Sequence, residues 1–511
     1  ARQPPGSMSA ALVLSLVFVG LLVLWVWETR QRRYWRQRGV PGPAPVPLFG
    51  NYALYILQQR YWGQAAQDIC RAFPNAPYVG AYIGSDPALI LQEPAIVKLV
   101  MAQEFNHFHG REITAHSDRE TITRNLFFTY GDRWKLVRQG MSPAFTSAKL
   151  KGGFYLIENC AKLFQQMLER EVRANQIIEV RRLSSRYSMD AICTFGFGID
   201  VNTQTEDVSN NAFKKMGELI FDNSYIRGFL LASRSAWPSI FYGLGLYAFP
   251  KSIEKFFDTL LTEVFEGRSY KPSGRKDFVD MMLKIKEEDY VTSESIEEPG
   301  KVIKLKIDKE YLTAQCVVFF AAGFETTSST LSFALYELAK DPESQDRAIA
   351  EVDDYLRKND GKIHFECVTE LPYLDAVLNE AMRLYPVLSY TLPDGLKLER
   401  GLRIHIPVYH LHHNPAFFPE PERFRPDRFL PENRHLIKPF TYIPFGEGPR
   451  ICIGMRSAKM QMLPGLLTVL RNYRVELAPG TPKTLRLDPR TIVTQSMDPI
   501  KLKFVKRELS T

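Results

Sequence analysis

The sequence predicts a mainly α fold with small β-sheets. Helix-period apolar patterns run through residues 130–175, 208–222, 310–340 and 343–357, while strand patterns around turns are confined to 77–92 and 396–408. The 511 residues are 45% hydrophobic and 24% charged, an ordinary globular composition with ample apolar content for a large core. No Gly/Ser linker, repeat period or low-complexity tract divides the chain, so one large body is expected.

The amino terminus comes first. From Ala10 to Trp27 runs the uncharged stretch "AALVLSLVFVGLLVLWVW", about long enough to cross a bilayer's hydrocarbon core as a helix. Trp25 and Trp27 close it, where aromatic rings prefer the interface. Arg30, Arg32, Arg33, Arg36 and Arg38 follow, against Arg2 alone before it, a bias that faces the body of the chain to the cytosol. A cleaved signal peptide would have a shorter apolar core, with its basic cluster in front. Residues 8–28 are therefore read as a single-pass membrane anchor starting at Met8, behind a short "ARQPPGS" leader. Residues 29–50 are read as a basic and proline-rich hinge, because four prolines in seven residues from Pro41 to Pro47 make a stiff spacer. Residues 51–511 are read as one globular domain.

The net charge of +8 suits an anionic membrane face or an acidic protein partner. Without zinc-finger spacing or a basic stripe interleaved with aromatics, nucleic acid is not expected. Neither "FGFGID" nor "YGLGLY" completes Gly-x-Gly-x-x-Gly, so the chain has no obvious nicotinamide or flavin site. The charge-mixed stretch 287–307 reads as a surface excursion. His412 and His413 read as surface or turn residues rather than ligands. Of six scattered cysteines, Cys70, Cys160, Cys193, Cys316 and Cys367 read as small buried hydrophobes in a reducing compartment.

The sixth lies in "PFGEGPRICIG" (444–454). Gly446, Gly448 and Gly454 let the backbone approach a flat ligand. A thiolate in such a loop would receive amide hydrogen bonds that tune its donation to a metal. Alone, Cys452 reads better as an isolated buried thiol than as a ligand. The full pattern of Phe445, Gly446, Gly448, Arg450, Cys452 and Gly454 resembles the haem-binding loop of the cytochromes P450, Phe-Gly-x-Gly-x-Arg-x-Cys-x-Gly. The resemblance implies haem b as cofactor, Cys452 as axial ligand of its iron, Phe445 near the sulfur and Arg450 on a haem propionate.

Further motifs follow the family's order. "AAGFETTSST" (321–330) reads by itself as a buried helix whose hydroxyls bond back to carbonyls four residues earlier. It also resembles the family's oxygen-activating helix, in which Gly323 would leave room for dioxygen while Thr326 and Glu325 hold water and relay protons. "NEAMRLYP" (379–386) places Glu380 and Arg383 on one helix face, as an ordinary surface pair would be. The family's Glu-x-x-Arg pair is instead buried and locked by a later cation, for which Arg428 is preferred to Arg423. Trp134 and Arg138, one turn apart, match the family's Trp-x-x-x-Arg donors to a propionate.

The chain is thus identified as resembling a cytochrome P450, close in texture to insect microsomal xenobiotic-metabolising members. The implied activity is insertion of one oxygen atom from O2 into a lipophilic small molecule. Electrons would come from NADPH through NADPH-cytochrome P450 reductase, with cytochrome b5 as a second donor. Arg450, Arg456 and Lys459 are read as a basic docking face for that reductase. The implied location is the endoplasmic reticulum membrane, catalytic domain in the cytosol. Substrate contacts are expected from 105–129, 214–250, the oxygen helix and the strand after Ser389. One departure stands out: after "LYPVLS" (384–389) the chain lacks a stretch that relatives carry, including a propionate-holding arginine. That departure motivates an inactive haem-binding membrane protein as one rival reading; a reductase-independent haem-thiolate isomerase or dehydratase is a separate one.

Overall fold

The computed structural model describes residues 33–508 apart from 112–115, 117, 206–207, 276, 389 and 394–400, with a few isolated positions before residue 33. Most of the expected anchor, 8–28, therefore lies outside the described residues. Among the described residues no helix is long and apolar enough to cross a membrane.

The helices that build the site are, in chain order, α1 (Gly131–Met141), α2 (Ser147–Ala174), α3 (Val180–Ile192), α4 (Tyr225–Ala236), α5 (Lys309–Lys340), α6 (Pro342–Lys358), α7 (Pro372–Leu384), α8 (Val408–His412) and α9 (Met455–Asn472). The single helical pattern over 130–175 is two helices, α1 and α2, divided by a 3₁₀ turn at Ser142–Phe145 where Pro143 interrupts the α ladder. The longest, α5, is capped by the Asp308 carboxylate, which accepts the Tyr311 N–H at 2.8 Å. Its 32 residues span about 48 Å. It is apolar nearly all round and correspondingly buried.

Two large apolar clusters meet along α5. Residues Tyr311–Phe324 belong to one, with α1 and the segment following α4. Residues Leu331–Leu338 belong to the other, with α2, α3, α6, α7 and α9. The polar stretch 325–330 falls at the seam between them, which is where the site lies.

The strands are β1 (Tyr78–Ile83), β2 (Asp86–Leu91), β3 (Ile177–Glu179), β4 (Tyr290–Glu294), β5 (Val302–Lys306), β6 (Tyr390–Pro393), β7 (Arg403–Ile406), β8 (Tyr473–Leu477) and β9 (Lys501–Lys506). They form sheets ordered β1-β2-β7-β6, β3-β9-β8 and β4-β5. After Ser389, β6 pairs antiparallel with β7 from Tyr390↔Ile406 to Pro393↔Arg403.

Three sequence expectations change. The hinge does not stand free: Trp35 is buried, its Nε1 donates to Ala81 O at 2.9 Å, and the Gly80 N–H donates to Pro41 O at 2.8 Å, so apolar burial draws the segment onto β1. The stretch 287–307 is no loose excursion but the β4–β5 hairpin, seated on the core by Val291, Ile303 and Leu305. His412 and His413 are buried, not on the surface. The Ile443 N–H donates to His412 Nε2 at 3.0 Å, and His413 stacks on Tyr409 with ring centroids 4.1 Å apart.

Candidate active site

A cavity of about 300 Å³ opens at the seam of α5. Its walls are overwhelmingly apolar, contributed by Ile122, Phe128, Ile220 and Phe249 on one side and by Ala322, Gly323 and Thr326 of α5 on another. The expected regions 105–129 and 214–250 and the oxygen helix all reach it; near Ser389 the lining residues are Val387 and Leu388, which precede the strand that was expected to contribute.

Cys452 forms part of the wall. Five cysteines are buried; Cys452 is exposed, and its exposure is to this cavity. The loop that carries it is built by close approach. Gly446 and Gly448 take φ of +74° and +67°, and a Cβ on Gly448 would lie 2.0 Å from Met101 O, so only glycine fits. The Cys452 N–H donates to Phe445 O at 2.8 Å, and α9 starts at Met455, which puts the sulfur before a helix amino terminus. Burial pushes the thiol pKa up, opposed by the Gly454 N–H and by the Arg111 and Arg138 guanidiniums.

Those cations crowd the same wall. Arg138 Nη1 donates to Ile451 O at 2.9 Å. Arg450 Nε donates to His109 O at 2.7 Å, another of its nitrogens to Thr129 O, and its guanidinium lies 4.7 Å from the Trp134 ring centroid. Arg450 Nη1 is buried without a partner among the described residues. Burial first, then Arg111 and Arg138, hold the Arg450 pKa well below the ordinary value. Two predicted donors thus bond only main-chain carbonyls, in a place where an anion would relieve like-charge crowding.

On α5, Thr326 faces the cavity and its Oγ1 donates to Ala322 O at 2.6 Å. Glu325 does not face it. One helical residue rotates it about 100°, and its buried carboxylate accepts from Arg181 Nη2 at 2.7 Å and Gln495 Nε2 at 2.8 Å. Gly323 lines the cavity, and its missing Cβ would lie 2.4 Å from Ile192 Cδ1, so glycine here also admits the close packing of α3.

Glu380 and Arg383 are both fully buried, joined by Nε–Oε2 and Nη2–Oε1 contacts of 2.7 and 2.8 Å. Arg428 Nε reaches Glu380 Oε1 at 3.4 Å, whereas Arg423 is 68% exposed and pairs with Glu420. Arg450 cannot belong to a docking face, being buried, and Lys459 Nζ is committed to Asp375 Oδ1 at 2.6 Å; Arg456 remains at the surface.

A family model described as cytochrome P450 matches residues 40–504. The chain belongs to the cytochrome P450 family. It is 34% identical to cytochrome P450 6k1 of Blattella germanica, over 97% of this chain and 98% of that protein. It is 32% identical to cytochrome P450 6a8 of Drosophila melanogaster (97% and 99%) and 30% to cytochrome P450 6B2 of Helicoverpa armigera (97% and 98%). It is accordingly a P450 monooxygenase with haem b as cofactor. The residues present fit that group. A cavity-facing thiol offers one axial ligand, Arg450 Nη1 offers an unmet donor, and among the described residues no cluster of His, Cys, Asp or Glu competes for a metal.

Sequence reasoning missed Arg111, which lines the cavity beside Cys452 and Arg138. It sits in an irregular segment with no periodic pattern to mark it.

Proposed function

We propose that this cytochrome P450 oxygenates a lipophilic small molecule held beside Cys452, with electrons passed from NADPH by NADPH-cytochrome P450 reductase and, as a second donor, cytochrome b5. The observation that carries the proposal is the Cys452 sulfur, facing an apolar chamber under crowded guanidiniums. Haem b held on the Cys452 thiolate supplies O2 activation, since thiolate donation favours O–O cleavage. Trp134, Arg138, Arg450 and Arg111 would hold its propionates, Phe445 would shield the sulfur, and Gly446, Gly448 and Gly454 would admit its close approach. The phenylalanine-rich wall excludes water and orients an apolar substrate. Thr326 Oγ1 holds a proton at the cavity face. Glu325, held by Arg181 and Gln495, is the second member of this proton path, its partner Arg181 reaching toward the surface. Glu380, Arg383 and Arg428 serve as a structural lock behind the loop.

The anchor at 8–28 and a cytosol-facing place on the endoplasmic reticulum belong to the same proposal. Exposed Leu54, Leu57, Tyr225, Ile226, Phe229 and Ile240 support a lipid contact. Gln58 Nε2 donates to Tyr225 O at 2.6 Å, tying the two segments that carry most of the patch. Beside it, Arg490 lies 4.8 Å from the Tyr225 ring centroid, and Ile492 is 39% exposed while also lining the cavity. A lipophilic substrate would therefore enter from the lipid side. A xenobiotic fits such a chamber as well as an endogenous lipid does.

The test is turnover under isotopically labelled O2 with reductase and NADPH. One labelled atom in the product is expected. Unlabelled product formed without reductase would overturn the proposal in favour of an isomerase or dehydratase. The β6–β7 pairing favours an active enzyme over the inactive reading.

A further inference from the structure

An isolated two-stranded hairpin is marginal in water, so β4–β5 is held by what it packs on. It packs on α1. Val291 is buried over Gly140, where a Cβ would lie 3.3 Å from Val291 Cγ2. At the tip, the Asp132 carboxylate in the first turn of α1 accepts the Ser295 Oγ–H at 2.7 Å and the Ile296 N–H at 2.6 Å. The Ser295 Oγ accepts the Glu297 and Glu298 N–H groups at 3.1 and 2.8 Å, and the Ser295 N–H closes the tip onto Lys301 O at 2.8 Å. Lys135 Nζ donates to Glu294 O at 2.6 Å.

The anchored turn is two residues from Trp134 and six from Arg138 on one short helix. It also touches the loop behind Arg450: the Gly131 N–H donates to His109 Nδ1 at 3.0 Å, and His109 O accepts from Arg450 Nε. A carboxylate at this position has a second reason to stay, because negative charge is favoured at a helix amino terminus and charged acceptors bind N–H groups more strongly.

We propose that Asp132 is a positioning residue for the haem site: through the Ser295–Ile296 tip of the β4–β5 hairpin it fixes the first turn of α1 and thereby Trp134 and Arg138. This rests on the propionate role proposed above for those two side chains. Loss of the tip contact lets α1 shift and loosens the grip on the cofactor without touching the sulfur ligand.

The test is the rate of haem transfer from the holoprotein to excess apomyoglobin, followed by the Soret band beside thermal unfolding of the same samples. Asp132→Ala should lose haem about tenfold faster, the lower end of what outer-shell partners contribute. Ser295→Ala, a milder variant that leaves Asp132 the Ile296 N–H, should do so about threefold faster, and Asp132→Asn, which keeps an acceptor oxygen, by less than that. Gln345→Ala, which breaks buried bonds to Leu338 O and Val475 O far from α1, should lower the thermal midpoint and leave haem transfer at the wild-type rate. Wild-type transfer rates in both Asp132→Ala and Ser295→Ala, or equal acceleration in Gln345→Ala, would overturn the proposal. Trp134→Ala and Arg138→Ala locate a failure: if they too lose haem at the wild-type rate, the propionate role is wrong, whereas fast loss there with slow loss in Asp132→Ala rejects the hairpin role alone.

Discussion

Glu380→Gln should cost this protein a large part of its stability, though it alters hardly any volume. Glu380 and Arg383 are 0% exposed. The carboxylate accepts two Arg383 nitrogens at 2.7 and 2.8 Å, the Arg425 N–H at 2.9 Å and Arg428 Nε at 3.4 Å. Glutamine keeps one acceptor oxygen but removes the charge. Arg383 then keeps one bond to that oxygen and those to the His412 and Arg423 carbonyls, at 2.9 and 3.3 Å, but no countercharge for a buried guanidinium. Breaking a buried pair from one side costs about 3–5 kcal/mol, out of a typical total of roughly 5–15 kcal/mol. That is two to four orders of magnitude in the folding equilibrium, by about 1.4 kcal/mol per tenfold. The assay is urea unfolding followed by far-ultraviolet dichroism, with m-values compared. Replacing both partners, Glu380→Leu with Arg383→Met, removes the buried charge and should cost less than Glu380→Gln alone. A loss below about 1 kcal/mol at unchanged m-value would mean the pair behaves like an exposed one and would refute the reasoning.

Thr326→Ala should lower product formed per electron about tenfold or more while leaving the substrate Kd near wild type; equal coupling in both proteins removes Thr326 from proton delivery. Arg111→Leu should speed haem transfer to apomyoglobin about tenfold with little change in the thermal midpoint, and an unchanged rate would leave it a bystander. Burial holds His405 and His413 down to about 3 and His410 to about 4, against an ordinary 6.5. Each stays neutral when folded and takes a proton when unfolded, so its stabilisation is complete above pH 6.5 and is lost as pH falls from there toward the folded values. At pH 5 the loss is about 2 kcal/mol per histidine, read as a falling urea midpoint between pH 7 and 5 that is shallower in His410→Gln; a flat profile would contradict it.

Much of the site was legible because its signals are local. The helical period placed α5, α6 and α9's neighbouring loop was marked by glycines at irregular spacing, two of which take positive φ around the thiol. The orientation of Glu325 was legible in principle, since neighbouring helical residues point about 100° apart, but the motif drew the acid and the hydroxyl into one role. The rest is tertiary. Gly323 is explained by Ile192 and Gly448 by Met101, residues far away in the chain. His412 and His413 stand in the polar-looking run 410–414, yet the fold buries them at the end of α8. The hairpin at 290–306 reads as polar because only alternate residues, Val291, Ile303 and Leu305, face inward.

The central claim is that Cys452 is a thiolate ligand of haem facing the substrate cavity. The carbon monoxide difference spectrum of the dithionite-reduced protein tests it most directly. The wild type should give the long-wavelength Soret band of thiolate ligation, and Cys452→Ala should lose that band. A short-wavelength band in the folded wild type, or a long-wavelength band that survives Cys452→Ala, would contradict the account.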